Sequence, residues 1–195
     1  MKAMKKVILF MLALAGTLSF AKEYKIGDMG PGGGIVFYVS KSGFEVDDGM
    51  GSVETCHYLE VSKEDLGQTT WTPSPAVFLE DLDETYAIGS GKANTFLIAY
   101  AGLCPEEVTV ENCAAYACFE YRTKTTKPGD WFLPSSDELK LVFTNLSLEQ
   151  LNVTSKEFYW SSSEESDGSA WARKNKTSTV DAKGKRFNVR AVHAF

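Results

Sequence analysis

The sequence predicts a single α+β domain behind a cleavable leader, and three observations carry the prediction. Strand-forming segments collect towards the two ends of the chain, the helix signals collect in its middle, and the length after the leader suits one core. The clearest helix signal lies in GDWFLPSSDELKLVFTNL, residues 129–146. Pro134 ends an extended aromatic run, because the residue before a proline is pushed to β geometry. Ser135 and Glu138 then form a capping box, in which the hydroxyl accepts a first-turn N–H and the carboxylate reaches back. Leu139, Val142, Phe143 and Leu146 follow at the spacing of one buried helical face.

Residues 1–21 read as a secretory signal peptide. Lys2, Lys5 and Lys6 precede the apolar run from Val7 to Phe20, and Ser19 and Ala21 supply the small residues of a cleavage site. The apolar run is shorter than the roughly 20 residues that span a bilayer. Cleavage after Ala21 would leave 174 of the 195 residues as a domain over 22–195, with no membrane span.

Within that domain, IGDMGPGGGIVFYV opens on glycines read as tight-turn residues and runs into a strand at 34–39. A dinucleotide fingerprint would leave a strand and enter a helix, and this one does the reverse. DDGMGS, at 47–52, reads as a hairpin tip before a second strand, CHYLEVS; it lacks the spaced carboxylates of a calcium loop. A helix is expected from about Lys92 to Ala101, with Phe96, Leu97, Ala99 and Tyr100 towards the core, and a shorter one in ENCAAYACFEY, packed against it. The Gly91-Lys92 pair fails the phosphate-loop pattern. EFYWSSS, SAWARK and RFNVRAVHAF read as strands separated by turn composition. The last is expected to place Phe187, Val189, Ala191, His193 and Phe195 on one face and to lie beside the strand at 34–39.

Four cysteines in an exported chain favour disulfides. Cys56, Cys104, Cys113 and Cys118 admit three pairings; the short loop between Cys104 and Cys113 favours that local staple, with Cys56–Cys118 as the other. No C-x-x-C pair or finger-like histidine spacing supports a zinc site, and no metal or other cofactor is predicted. Three of the 20 basic residues sit in the leader, so 17 face 26 acids and the domain carries a net −9. Residues 171–195 hold Arg173, Lys174, Lys176, Lys183, Lys185, Arg186 and Arg190 against Asp181 alone, a local +6 on an acidic body. Two readings stand: the basic edge neutralises acidic loops of its own chain, or it binds a polyanion through Arg173, Lys174, Lys176, Lys183, Lys185 and Arg186.

No catalytic constellation stands out. There is no G-x-S-x-G elbow, Ser161, Ser162 and Ser163 lie in a strand pattern, and the two histidines, His57 and His193, are far apart in sequence. The adjacent acids Asp47 and Asp48, or Glu164 and Glu165, make no glycosidase signal.

Six blocks nevertheless occur in a telling order: IGDMGPGGGIVFYV, IGSGKANT, AAYACFEY, DWFLPSSDEL, FYWSSSEESDGSAWA and VRAVHAF. In order and spacing they resemble the C-terminal domain of the Legionella collagen-like protein family, a domain of unknown function with a C-type-lectin-like fold. The resemblance covers about Ile26 to Phe195 and implies small antiparallel sheets, two to three helices and long loops. It also implies a surface adhesin that binds sulfated glycosaminoglycans. The W-x-L-P-[ST] block is similar to formylglycine-generating enzymes as well, but this chain has no cysteine after Cys118, where their active pair would lie. No collagen-like repeat precedes the domain, which leaves the oligomeric state open, and the sugar-binding triplets of calcium-dependent lectins are absent. The expectation is therefore an exported, secreted, periplasmic or cell-surface binding module for an extracellular glycan or other polyanion, not nucleic acid. A formylglycine-generating-type catalytic domain and a structural envelope protein are the alternatives.

Overall fold

A computed structural model of the chain describes residues 22–73, 86–101 and 107–195. The leader read at 1–21 and Cys104 lie outside them.

The described chain is α+β, built on two sheets. Strands β1 (Ile35–Asp47) and β2 (Val53–Val61) form the hairpin expected around DDGMGS. They join β4 (Trp131–Phe132) and β9 (Val192–Ala194) in an antiparallel sheet of order β1-β2-β9-β4. The second sheet has the order β3-β8-β5-β6-β7, from β3 (Gln68–Thr69), β5 (Tyr159–Ser166), β6 (Ser169–Lys174), β7 (Thr177–Ala182) and β8 (Phe187–Asn188). It is mixed rather than purely antiparallel, because β5 and β8 run parallel where Tyr159 meets Asn188.

The expected last strand is split between the two sheets. Residues 187–188 belong to the second, residues 192–194 to the first, and Asn188 to Val192 are all buried as the chain crosses between them. One-sided alternation cannot describe a segment covered on both sides. Its final part lies beside β2 and β4, with β2 separating it from β1, because the hairpin partner already occupies that flank of β1.

Four short α-helices are described where two to three were expected: α1 (Gly91–Phe96), α2 (Ala114–Glu120), α3 (Ser136–Asn145) and α4 (Leu148–Leu151). The Ser135 hydroxyl accepts the Glu138 N–H while the Glu138 carboxylate accepts the Ser135 N–H, the predicted capping box. Leu139, Val142, Phe143 and Leu146 are buried as that helix predicts. Ser147 and Gln150 repeat the device one turn later on α4. Helix α1 passes into a π-helical turn, Leu97–Ala101, in which Ile98 and Ala99 lie fully inside and Tyr100 is 37% exposed, not in the core.

Alternation along the short strands feeds two apolar clusters. Trp131, Trp160 and Ala191 enter one with Ile98 and Ala99 of the π-helical turn, α2 and Trp71; their neighbours Phe132, Tyr159 and Val192 enter the other with α3, Phe37 and Leu59. The two strands that supply Trp131–Phe132 and Tyr159–Trp160 thus hold both halves of the core in register.

The expected Cys56–Cys118 bond is not formed: Cys56, Cys113 and Cys118 are free, buried thiols. Cys118 packs with Cys113 in the cluster around α2 and Trp71, of which Cys56 on β2 is no part. Burial pushes the thiols of Cys56 and Cys113 up to about 11, and that of Cys118 upward as well.

Candidate functional site

The predicted basic edge is largely consumed inside the molecule. Lys183 is fully buried: its ammonium donates to the Glu164 carboxylate and, at 2.9 Å, to the Asp167 carbonyl, 4.8 Å above the Trp71 ring. Arg173 is 5% exposed and donates to the Ser178 hydroxyl at 2.8 Å across the β6–β7 ladder. Neither residue is placed to meet a ligand at the surface. Lys185 is exposed but ion-paired with Asp181, and Arg186 is exposed but donates to the carbonyls of Glu111 and Gln68. Lys174 lies 5.0 Å over the Phe158 ring, and Lys176 stands exposed at the β6–β7 turn. The structure places Arg173, Lys174 and Lys176 at the β6–β7 turn and Lys183 and Lys185 just past the opposite end of β7, so the six charges are not gathered on one rim.

Arg190, seventh in the basic count, is 3% exposed. Its guanidinium donates to Asp65 at 2.7 Å and to the Leu151 carbonyl at 2.8 Å, and the Tyr159 hydroxyl donates to the second Asp65 oxygen at 3.0 Å. That network pins the chain where it crosses between the sheets.

Two further buried carboxylates explain the glycine-rich blocks. Glu60 on β2 is fully buried and accepts the Gly32 and Gly34 N–H groups, both at 2.7 Å, and the His193 Nδ1–H at 2.8 Å. A Cβ on Gly30, Gly32 or Gly34 would fall 2.4–2.6 Å from Glu60 or from the Val61 carbonyl. Close approach rather than turn geometry therefore demands those three glycines, and Gly27, at φ +93°, and Gly33, at φ +90°, are the turn residues expected. His193 stacks on Trp131 and Phe195 and holds this loop to β9.

Glu138 does the same for the second block. Beyond its capping role it accepts the Gly89 N–H at 2.8 Å and leaves no room for a Cβ on Gly91, so it closes the start of α1, where Ser90 makes no side-chain cap. Burial raises its pKa to about 7, against the pull of its backbone N–H bonds.

The described surface also holds a cleft of about 220 Å³ between the β1–β2 tip and the turn at 127–130. Phe96 and Phe119 line it, with the edge of Trp131 behind. Both turns are self-supporting. Asp47 accepts the Gly49 N–H, Asp48 accepts the Met50 and Ser52 N–H groups, and Asp130 accepts the Lys127 N–H, at 2.7–3.0 Å. Those bonds hold the Asp48 carboxyl below the usual carboxylate range. Gly49 (φ +77°) and Gly129 (φ +86°) lie directly against the Phe96 and Phe119 rings, where a Cβ would be 2.9 and 3.2 Å away. Outside the cleft lining, Tyr100 stacks on Phe96 with centroids 5.5 Å apart and meets Phe119 edge-on at 5.0 Å, which braces the two rings. Lys92, Lys127, Asp48 and Asp130 add charges of both signs to the lining. Sequence reading missed this cleft because its residues come from four separate segments.

Among the described residues no group of three or more His, Cys, Asp or Glu side chains is placed to hold a metal ion. No described helix is long and apolar enough to cross a membrane.

No family model matches the sequence, and no match was found among curated proteins. The fold is similar to that of a fimbrial protein from Bacteroides ovatus, with a TM-score of 0.52 at 16% sequence identity. The match covers 83% of this chain and 44% of that one, so the chain spans less than half the length of that protein.

Proposed function

We propose that the protein is an exported, surface-located binding module of C-type-lectin-like architecture, an adhesin-type domain that holds an extracellular glycan without chemical turnover. The observation that carries this reading is the fold shared with a bacterial fimbrial protein. The six ordered blocks that resemble the Legionella collagen-like C-terminal domain add support. They converge in space: the glycine loop and VRAVHAF meet at Glu60, and IGSGKANT meets DWFLPSSDEL at Glu138. A fold whose recurrent residues hold loops together leaves the loop surfaces themselves to vary with the ligand.

For a polyanion, the cations left to solvent are Lys174 and Lys176 at the β6–β7 turn and Lys185 past the far end of β7, with Arg173 and Lys183 withdrawn into the protein and Arg186 bonded to the Glu111 and Gln68 carbonyls. Contact through them is salt-sensitive and works against the net −9 of residues 22–195. The test is heparin-column retention at low salt for the native chain beside a Lys174→Ser/Lys176→Ser/Lys185→Ser variant. Earlier elution of the variant is expected; equal elution would remove this edge from the binding surface.

A further inference from the structure

We propose that the cleft between the β1–β2 tip and the turn at 127–130 is a calcium-independent saccharide site that takes one pyranose ring of an unsulfated glycan. The proposal rests on the reading of the protein as a glycan-binding module, and it places the ligand away from the basic edge.

Three features of the cleft carry it. The first is preorganisation. Both walls are turns closed by their own aspartates, and both present a left-handed glycine flat against an aromatic ring, so a ligand orders no loop when it enters. The second is the state of the aromatics. Trp71, Trp131 and Trp160 are fully buried, whereas Phe96 and Phe119, which line the cleft, are only half-buried and are braced from outside it by Tyr100. Apolar ring surface kept at the solvent boundary in a concave site is surface available to a ligand. The third is the rim, which carries two carboxylates, Asp48 and Asp130, and two ammonium groups, Lys92 and Lys127.

A pyranose answers all three. Its C–H face is apolar and lies on aromatic rings, while its hydroxyls both donate and accept, matching a rim that offers acceptors and donors together. A sulfated sugar would need an excess of cations, and two charges of each sign supply none. Lys92 shares its charge with Glu54 at 3.2 Å, which leaves Lys127, on an exposed turn, as the principal donor. The volume of about 220 Å³ lies below the roughly 300–1,000 Å³ of drug-sized pockets and fits a single ring.

The experiment is binding of the folded protein to a printed array that carries unsulfated and sulfated glycans, in calcium chelator and at two salt concentrations. Its variants are Lys127→Ala, Phe119→Leu and Lys176→Ser/Lys185→Ser. Expected is binding to unsulfated glycans that persists at high salt. It should weaken about tenfold or more in Lys127→Ala and several-fold in Phe119→Leu, and be unchanged in the Lys176/Lys185 variant. Lys127→Ala alters an exposed turn, so it decides the matter even if Phe119→Leu fails to fold. Binding to sulfated glycans alone, lost with Lys176 and Lys185, would overturn the cleft assignment while sparing the adhesin reading. Binding to no glycan would overturn both, and unsulfated binding indifferent to Lys127→Ala would move the site elsewhere.

Discussion

Replacing Glu60 by glutamine changes one oxygen for an NH2 group and leaves side-chain volume intact, so its effect isolates the three hydrogen bonds that this residue accepts. One oxygen serves Gly32 and His193, and the other serves Gly34. The gentlest orientation keeps the amide oxygen towards Gly32 and His193 and turns the NH2 group against the Gly34 N–H, 2.7 Å away in the native arrangement. That loses one bond to a charged acceptor, worth about 1.5–3 kcal/mol, and strands a buried N–H at about 1–3 kcal/mol. A cost of about 3 kcal/mol follows, a large part of the roughly 5–15 kcal/mol that stabilises a typical domain. Urea unfolding followed by tryptophan fluorescence should show that loss as a lower midpoint with an unchanged slope, and Tm should fall by about 6–12 °C. Amide exchange at Gly32 and Gly34 should accelerate more than at β6. A loss below about 1 kcal/mol would refute the claim that this carboxylate holds the loop.

The Glu138 carboxyl, raised by burial from 4.5 to about 7, binds a proton in the folded state that it has lost in the unfolded state between those values. Stability should therefore fall as pH rises from about 4.5 through 7, by about 3 kcal/mol at most, and Glu138→Gln should flatten this slope in denaturation curves taken across the window. Lys183→Met should cost about 3–5 kcal/mol by removing the buried cation beside the Glu164 carboxylate, and the double change with Glu164→Leu should cost less than the single one; a larger cost for the double would show that the pair itself stabilises the fold. Gly34→Ala drives a Cβ to 2.5 Å from the Val61 carbonyl, whereas Gly33→Ala meets only the left-handed backbone penalty of about 1–2 kcal/mol, so thermal melts should rank Gly34→Ala as the worse. Cys56, Cys113 and Cys118, with buried thiols shifted upward, should resist iodoacetamide at pH 8 in the folded protein and react on unfolding, as peptide mass spectra will report.

Local signals in the sequence translated well where local interactions decide the outcome. The capping box at Ser135 and Glu138, the proline stop and the hairpin around DDGMGS depend on residues within a few positions of one another. Strand β7 was not expected because TSTVDA is an edge strand with mostly exposed side chains, which carries no burial pattern to read. Depth was equally hidden. Lys183 and Arg173 look like their exposed neighbours in sequence, and nothing short of the tertiary fold places Glu164 beneath one of them. The partners of Glu60 lie 26 to 133 residues away, so the glycine loop showed its flexibility but not its anchor. The fold class was thus legible, while the candidate site was not.

Strand β9 sits inside the first sheet, between β2 and β4, yet it follows every other strand in the chain. During synthesis from the N-terminus, β2 and β4 are therefore made long before the strand that bridges them, and the sheet cannot close until residues 192–194 emerge. The Glu60 carboxylate likewise waits for His193, its partner 133 positions later. Early portions of the chain can form the β1–β2 hairpin and α3 but not a finished core, which delays cooperative folding until residues 192–194 have been made. The order of the strands in space thus makes the first sheet the work of both halves of the chain, closed by its latest strand.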